Sequence, residues 1–218
     1  MSRPGAAGPT EPGRDCSRCP RLVAFRQAQR QAHPDWHNAP VPSFGALDAR
    51  LLVVGLAPGL RGANRTARPF TGDYAGKLLY GSLKRHGFTA GEYRERADDG
   101  FRLIDARVSN AARCVPPQNK PLPAEFAQCR DFLVAEIAAM PRLTVILALG
   151  KESHDQCLAA LALRPRSRFP FAHGAVHDIG QGRILADSYH CSRLNTNTGR
   201  LTDAMFDAVV TDLKKRLA

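Results

Sequence analysis

No stretch of the 218 residues approaches the ~20 consecutive apolar residues of a membrane-spanning helix, and no signal-type apolar segment follows the first methionine. The expectation is a cytoplasmic protein without a membrane partner. Two nucleotide signatures are also missing. A phosphate-cradling loop needs G-x4-G-K-[ST] and a dinucleotide site needs G-x-G-x-x-G, whereas Gly55, Gly59 and Gly62 give G-x3-G-x2-G with Pro58 inside. There is no internal repeat. Acidic residues are the minority, 20 against 31 Lys+Arg, for a net charge of +11 and a pI near 9.9, which favours a polyanionic partner, nucleic acid first among them. Lysine is scarce among those cations. The excess of arginine suits bidentate phosphate contacts, although a codon-biased genome produces it equally.

What is present organises as alternating strands and helices. Residues 1–15 hold little apolar bulk and several Pro and Gly, so they read as a disordered tail ahead of one domain over 16–218. Leu51–Gly55 and Thr144–Gly150 are continuous apolar runs ending at glycine, the pattern of strands buried on both faces of a parallel sheet. Phe101–Val108 and Arg183–Tyr189 are weaker strands, the second hairpinned to Ala175–Ile179 through Gly180-Gln181-Gly182. Helical stripes run from Pro20, over 74–86 to a stop at Gly87, over 123–140 from Pro123, and into a last helix capped by Thr202. The architecture expected is a single-domain α/β/α sandwich around a mostly parallel four-stranded sheet, with functional groups beyond the carboxyl ends of the strands.

Cys16 and Cys19 form a C-x2-C pair while Cys114 and Cys129 stand singly. A zinc ribbon normally offers two close pairs, four dispersed thiolates can hold an iron–sulfur cluster, and plain burial is the third reading; spacing alone leaves the three open. Cys157, with His154, Leu158 and Leu161 at helical spacing, reads as a buried face. In 164–171, basic and aromatic residues alternate, a pattern that fits a solvated loop with Phe169 and Phe171 tucked inward better than a DNA-facing edge.

Four segments in order, GLAPG (55–59), GANRTARPFTGD (62–73), SNAARCVPPQNKP (109–121) and YHCSRLNTNTGRLT (189–202), resemble the family 5 (type B) uracil-DNA glycosylases. The resemblance runs from Cys16 to the C-terminal helix. It implies hydrolysis of the N-glycosidic bond of uracil in DNA, tolerance of other deaminated or modified bases such as hypoxanthine, ethenocytosine and hydroxymethyluracil, and a prokaryotic, nucleoid-associated monomer. A [4Fe–4S] cluster on Cys16, Cys19, Cys114 and Cys129 is implied with it. Gly55, Leu56, Ala57, Phe70, Asn110 and His190 would surround the extruded base. Phe70 serves as the stacking surface, and Asn110 offers one donor and one acceptor to the pyrimidine edge. His190 would donate to O2 as charge develops on the leaving base. Family 4 relatives carry a glutamate where this chain has Leu56, so Asp73 is the carboxylate expected to act on water or stabilise the sugar cation; its plain alternative is a helix N-cap. Ser192, Arg193, Leu194, Asn195 and Arg200 are the expected DNA contacts, Leu194 as the wedge filling the vacated stack. Family members often read His-Pro-Ser where this chain reads His190-Cys191-Ser192, which puts the stiffness of that loop in question.

Overall fold

The computed structural model describes residues 10–218. Its two apolar runs become neighbouring central strands, β1 (Leu51–Gly55) and β5 (Val145–Leu149), because every residue in them has an apolar layer on either side. Alternation decides which layer each side chain enters. Leu51, Val53, Val145, Leu147 and Leu149 point into one core, and Leu52, Val54, Ile146 and Ala148 into the other. Each fully buried aliphatic side chain contributes about 2 kcal/mol of transfer free energy.

The remaining elements, in chain order, are α1 (Pro20–Ala32), the short α2 (Ala63–Thr66), α3 (Tyr74–Arg85), a small hairpin of β2 (Thr89–Ala90) and β3 (Arg102–Leu103), β4 (Ala106–Asn110) and α4 (Pro123–Ala138). Beyond β5 come α5 (Lys151–Ala160), β6 (Val176–Asp178), β7 (Ile184–Ser188), α6 (Arg193–Asn197) and α7 (Asp203–Arg216). The sheet order is β4-β1-β5-β7-β6, parallel except for β6, which runs antiparallel to β7. The first core lies under α3 and α7 and the second under α4 and α5, which completes the three layers.

Three expectations are corrected. The sheet has five strands, since β6 of the expected hairpin continues it at its edge. The strand sought at Phe101–Val108 divides into the short β3 (Arg102–Leu103) and the sheet strand β4, which runs on to Asn110. Its Arg107, Ser109 and Asn110 are buried polar residues that break the apolar run; the first two are tolerated because Glu136 of α4 accepts from Arg107 (2.6 Å) and Ser109 (2.8 Å), as it does from Arg113 (2.6 Å). Burial would lift the Glu136 carboxyl, but Arg113 and Arg107 outweigh it and hold it below the usual range. Removing one partner of such a buried ion pair costs about 3–5 kcal/mol. Of the expected tail, residues 1–9 lie outside the described residues, whereas Glu11 reaches into this same network, bonded to Arg113 (2.8 Å) and to the backbone of Ser43 (3.0 Å).

The helix ends follow local chemistry. Gly87 closes α3 at φ +72, a conformation that a Cβ would strain. The Glu125 carboxylate accepts from the Leu122 backbone at the start of α4 (2.7 Å), and Thr202 caps α7 through Met205 (3.2 Å). Among the described residues no helix is long and apolar enough to cross a membrane. His154 and Cys157 are buried, Phe169 is buried and Phe171 half-buried, in line with the sequence.

Candidate active site at the strand ends

The carboxyl ends of β1, β4 and β7 open onto one cleft of about 260 Å³, lined among others by Leu56, Ala57, Gly59, Phe70, Asp73, Asn110, Asn119 and His190. Parallel strands end on the same side, so residues far apart in sequence converge there. Gly55 is the floor. A Cβ on it would stand 2.5 Å from both Oδ1 of Asn110 and Cζ of Phe70, so glycine is what lets the ring and the carboxamide lie side by side. His190 closes the third side, its ring centroid 6.1 Å from that of Phe70 and tilted by 33°. The three side chains thus face one volume the size of a small heterocycle.

Phe70 itself is held from behind. It adopts φ +53, in the left-handed region, with its carbonyl accepting from the Tyr93 hydroxyl at 2.9 Å. Tyr80 bonds the carbonyl of Pro69 (2.6 Å), and Arg68 grips Asp99 with two bonds of 2.8 Å, both side chains buried. The guanidinium of Arg68 also lies over the rings of Phe44, Tyr93 and Phe101. This arrangement over-determines a strained residue, which is the condition under which such strain persists.

Asp73 occupies the N-cap position of α3 but closes no side-chain cap bond, and its Oδ1 is buried without a partner. Its other oxygen lies against Gly62 and Gly59; the close approach at Gly62 leaves no room for a Cβ there. Burial raises the Asp73 pKa, with the amides of Gly76 and Ala75 pulling weakly the other way. His190 is pushed in the opposite sense, down to about 4 by burial, so its imidazole is neutral at pH 7. The two groups therefore present a carboxyl of raised basicity and an uncharged ring donor to one pocket.

Around the rim, Ser192 accepts from the Asn195 amide as the cap of α6, and the Asn195 carboxamide donates to the His190 carbonyl (2.9 Å). Leu194 is 73% exposed, the most exposed large apolar side chain among the described residues. Arg193 lies over Tyr74 and Arg200 over Tyr189. Cys191 is fully buried, with its thiol pushed well up by burial; it packs in the core where proline was expected by resemblance. Asn119 was not singled out by its residue type. It enters the cleft from a 3-10 turn in which Gln118 and Asn119 both have positive φ, and the Pro-Pro-Gln-Asn string was the available signal.

On the far side of β4, Cys16, Cys19, Cys114 and Cys129 line a single small cavity with Arg26 and Arg113. Burial pushes the Cys114 thiol up to about 12 and Cys19 to about 11, so the thiolates require compensating positive charge. Arg26 donates to Cys114 Sγ (3.6 Å) and the Arg113 amide to Cys129 Sγ (3.3 Å).

The sequence profile of the Uracil DNA glycosylase superfamily matches residues 42–214. A type-5 uracil-DNA glycosylase of Thermus thermophilus is 43% identical over 206 residues, 92% of this chain and 93% of its own. One from Mycobacterium bovis is 39% identical over 92% of this chain and 77% of its own. A type-4 uracil-DNA glycosylase of Archaeoglobus fulgidus is 37% identical over 51% of this chain and 48% of its own. With a profile spanning most of the fold and type-5 relatives matching nearly end to end, the chain belongs to the uracil DNA glycosylase superfamily and to its type 5.

Proposed function

We propose that this uracil-DNA glycosylase carries out its chemistry with Asp73, Asn110 and His190 around a base stacked on Phe70. The convergence of Phe70 and Asn110 at Gly55, with His190 and Asp73 lining the same cleft, is the observation that supports this reading most directly. Uracil rotated out of the duplex rests on Phe70, and the Asn110 carboxamide accepts from N3–H and donates to O4. The N1–C1′ bond breaks with its electron pair going to the base, whose O2 receives a hydrogen bond from neutral His190. Water adds to C1′ and passes a proton to Asp73, whose carboxylate burial makes more basic than an exposed one. An abasic site remains. The lining residues include no lysine, so no Schiff base and no strand scission follow.

Leu194 fills the vacated stack, while Ser192, Arg193, Asn195 and Arg200 meet the backbone around it. Tolerance for hypoxanthine, ethenocytosine and hydroxymethyluracil belongs to this reading, because apolar Leu56 and Ala57 impose few hydrogen-bond demands on the base. The enzyme acts as a monomer on DNA of the nucleoid, its pocket being complete within one chain.

The four cysteines fit a [4Fe–4S] cluster, all four lining one small cavity with two N–H donors aimed at its sulfurs. When bound, the cluster supplies a covalent cross-link. The chain's own contribution there is to tie the segment before α1 to the β4–α4 region that carries Asn110.

A labelled duplex with one U·G pair, incubated with the protein and then treated with alkali, tests the activity. Scission only after alkali is expected, and scission without it removes the monofunctional reading. Iron and acid-labile sulfide, about four of each per chain, test the cluster.

A further inference from the structure

A second constellation lies away from the cleft and has no part in base excision. His154 of α5, His177 of β6 and Asp187 of β7 bring three ligand atoms within 4.8 Å of one another. Asp187 and His154 are fully buried and His177 nearly so. Their polar atoms are not all accounted for. His154 Nδ1 stands 2.7 Å from Asp187 Oδ1, but Asp187 Oδ2 and His177 Nε2 approach only to 3.4 Å without the alignment of a hydrogen bond, and both are buried without a partner. A carboxylate oxygen and an imidazole nitrogen left unmade in the same dry spot, walled by the rings of Phe169 and Phe171, are costly unless something fills the gap between them.

We infer that His154, His177 and Asp187 form a binding site for one divalent transition-metal ion of the zinc, cobalt or nickel type. One nitrogen is already committed. His154 Nε2 faces the Phe169 carbonyl at 2.9 Å, which only accepts, so that nitrogen carries a hydrogen; a second proton lies in the 2.7 Å contact between Nδ1 and Asp187 Oδ1, and an incoming ion displaces it to take Nδ1 as its ligand. A ligand histidine steadied by a backbone carbonyl is the usual outer support of such sites. Two imidazoles and one carboxylate suit a borderline ion; magnesium and calcium prefer all-oxygen sets. Bonds of about 2.0–2.1 Å to a tetrahedral ion put the ligand atoms about 3.3 Å apart, so the 3.4 Å contact already fits, the 2.7 Å contact opens by about 0.6 Å, and the remaining separation, within 4.8 Å, closes onto the ion. Three protein ligands leave the fourth position to water. The ion would pin the edge strand β6 to α5 and β7, and β7 leads within three residues of Asp187 to His190.

The test uses the full chain as isolated, titrated with Co²⁺ and read by visible absorption, with Zn²⁺ titration calorimetry in parallel. Expected are one ion per chain, d–d bands of nitrogen and oxygen ligation without the near-ultraviolet thiolate band that the cysteines would give, and a thermal midpoint raised by Zn²⁺ but not by Mg²⁺. His177→Ala, on the edge strand, is expected to weaken binding by at least about tenfold and to abolish the Zn²⁺-induced rise in midpoint while uracil release without added metal is kept. Asp187→Asn, if it folds, is expected to do the same. No binding to the wild-type chain, a thiolate-type spectrum, or equal binding by His177→Ala would each overturn the site. None of these readouts depends on base release, so the glycosylase reading stands or falls separately.

Discussion

A carboxylate at the start of a helix ordinarily accepts first-turn amides and is held down by them; Asp73 has an unpartnered oxygen and a pKa raised by burial. Between the ordinary value of 3.8 and that raised value the unfolded chain is ionised while the folded chain keeps its proton, and above it ionised Asp73 opposes folding. Asp73→Asn removes that opposition at neutral pH and keeps a good N-cap residue. The variant is therefore expected to have a higher urea midpoint while single-turnover uracil release slows by about a hundredfold. A variant that is less stable and equally fast would make Asp73 a cap and nothing more. His190 gives the complementary sign. Its folded pKa of about 4 lies below the ordinary 6.5, so from pH 6.5 down to 4 the unfolded chain takes up a proton that the folded chain refuses, and stability falls across that window. Urea midpoints measured over this range are expected to decline less steeply for His190→Gln than for the wild type.

At the scale of elements, the Phe70 turn shows what the sequence could and could not disclose. Leu51–Gly55 and Val145–Leu149 are legible because a strand covered on both faces admits few polar residues, and the helices because their apolar stripes end at Gly87 or begin at Pro123 and Thr202. Strand β4 is displaced from its expected place because Arg107 and Ser109 are paired inward with Glu136, a partner 29 residues from Arg107 that no local pattern announces. The proposed site residues 73, 110 and 190 stand out by type and motif. The shell that aims Phe70 does not, since Tyr93 and Asp99 act through backbone and ion-pair contacts across 23 and 31 residues. That shell is testable. Tyr93→Phe deletes the hydroxyl bonded to the Phe70 carbonyl, and an expected loss of about 1 kcal/mol should accompany a lower kcat with little change in KM, because the stacking surface remains but its aim loosens. Helix α6 offers another test. Leu194→Ala is expected to slow release from duplex DNA about tenfold while leaving single-stranded uracil DNA nearly unaffected, since only the duplex must be held open. Equal slowing on both substrates would remove the wedge role.

The whole molecule carries +11, yet much of its arginine is engaged internally. Arg26, Arg68, Arg107 and Arg113 are buried, and Arg94, Arg96 and Arg216 pair with neighbouring carboxylates on the surface. Net charge is thus a poor count of phosphate contacts. Lys151 likewise pairs with Asp155, which leaves four cations on or beside the loops around the cleft, namely Arg61, Lys120, Arg193 and Arg200. If that face alone meets the duplex, about four phosphates are neutralised, and the slope of log K against log salt should be about −3.6, whereas neutralisation by the entire excess would give about −10. Arg193→Ala and Arg200→Ala should each flatten the slope by about one, whereas Arg85→Ala, which removes a cation paired with Asp207 on the α3–α7 layer, should leave it unchanged. Binding to a uracil-free duplex measured by fluorescence anisotropy across a salt series reads these slopes directly. A flattening by Arg85→Ala equal to that by Arg193→Ala would mean that the DNA is held by diffuse charge, and that the cleft is reached from a surface without a preferred face.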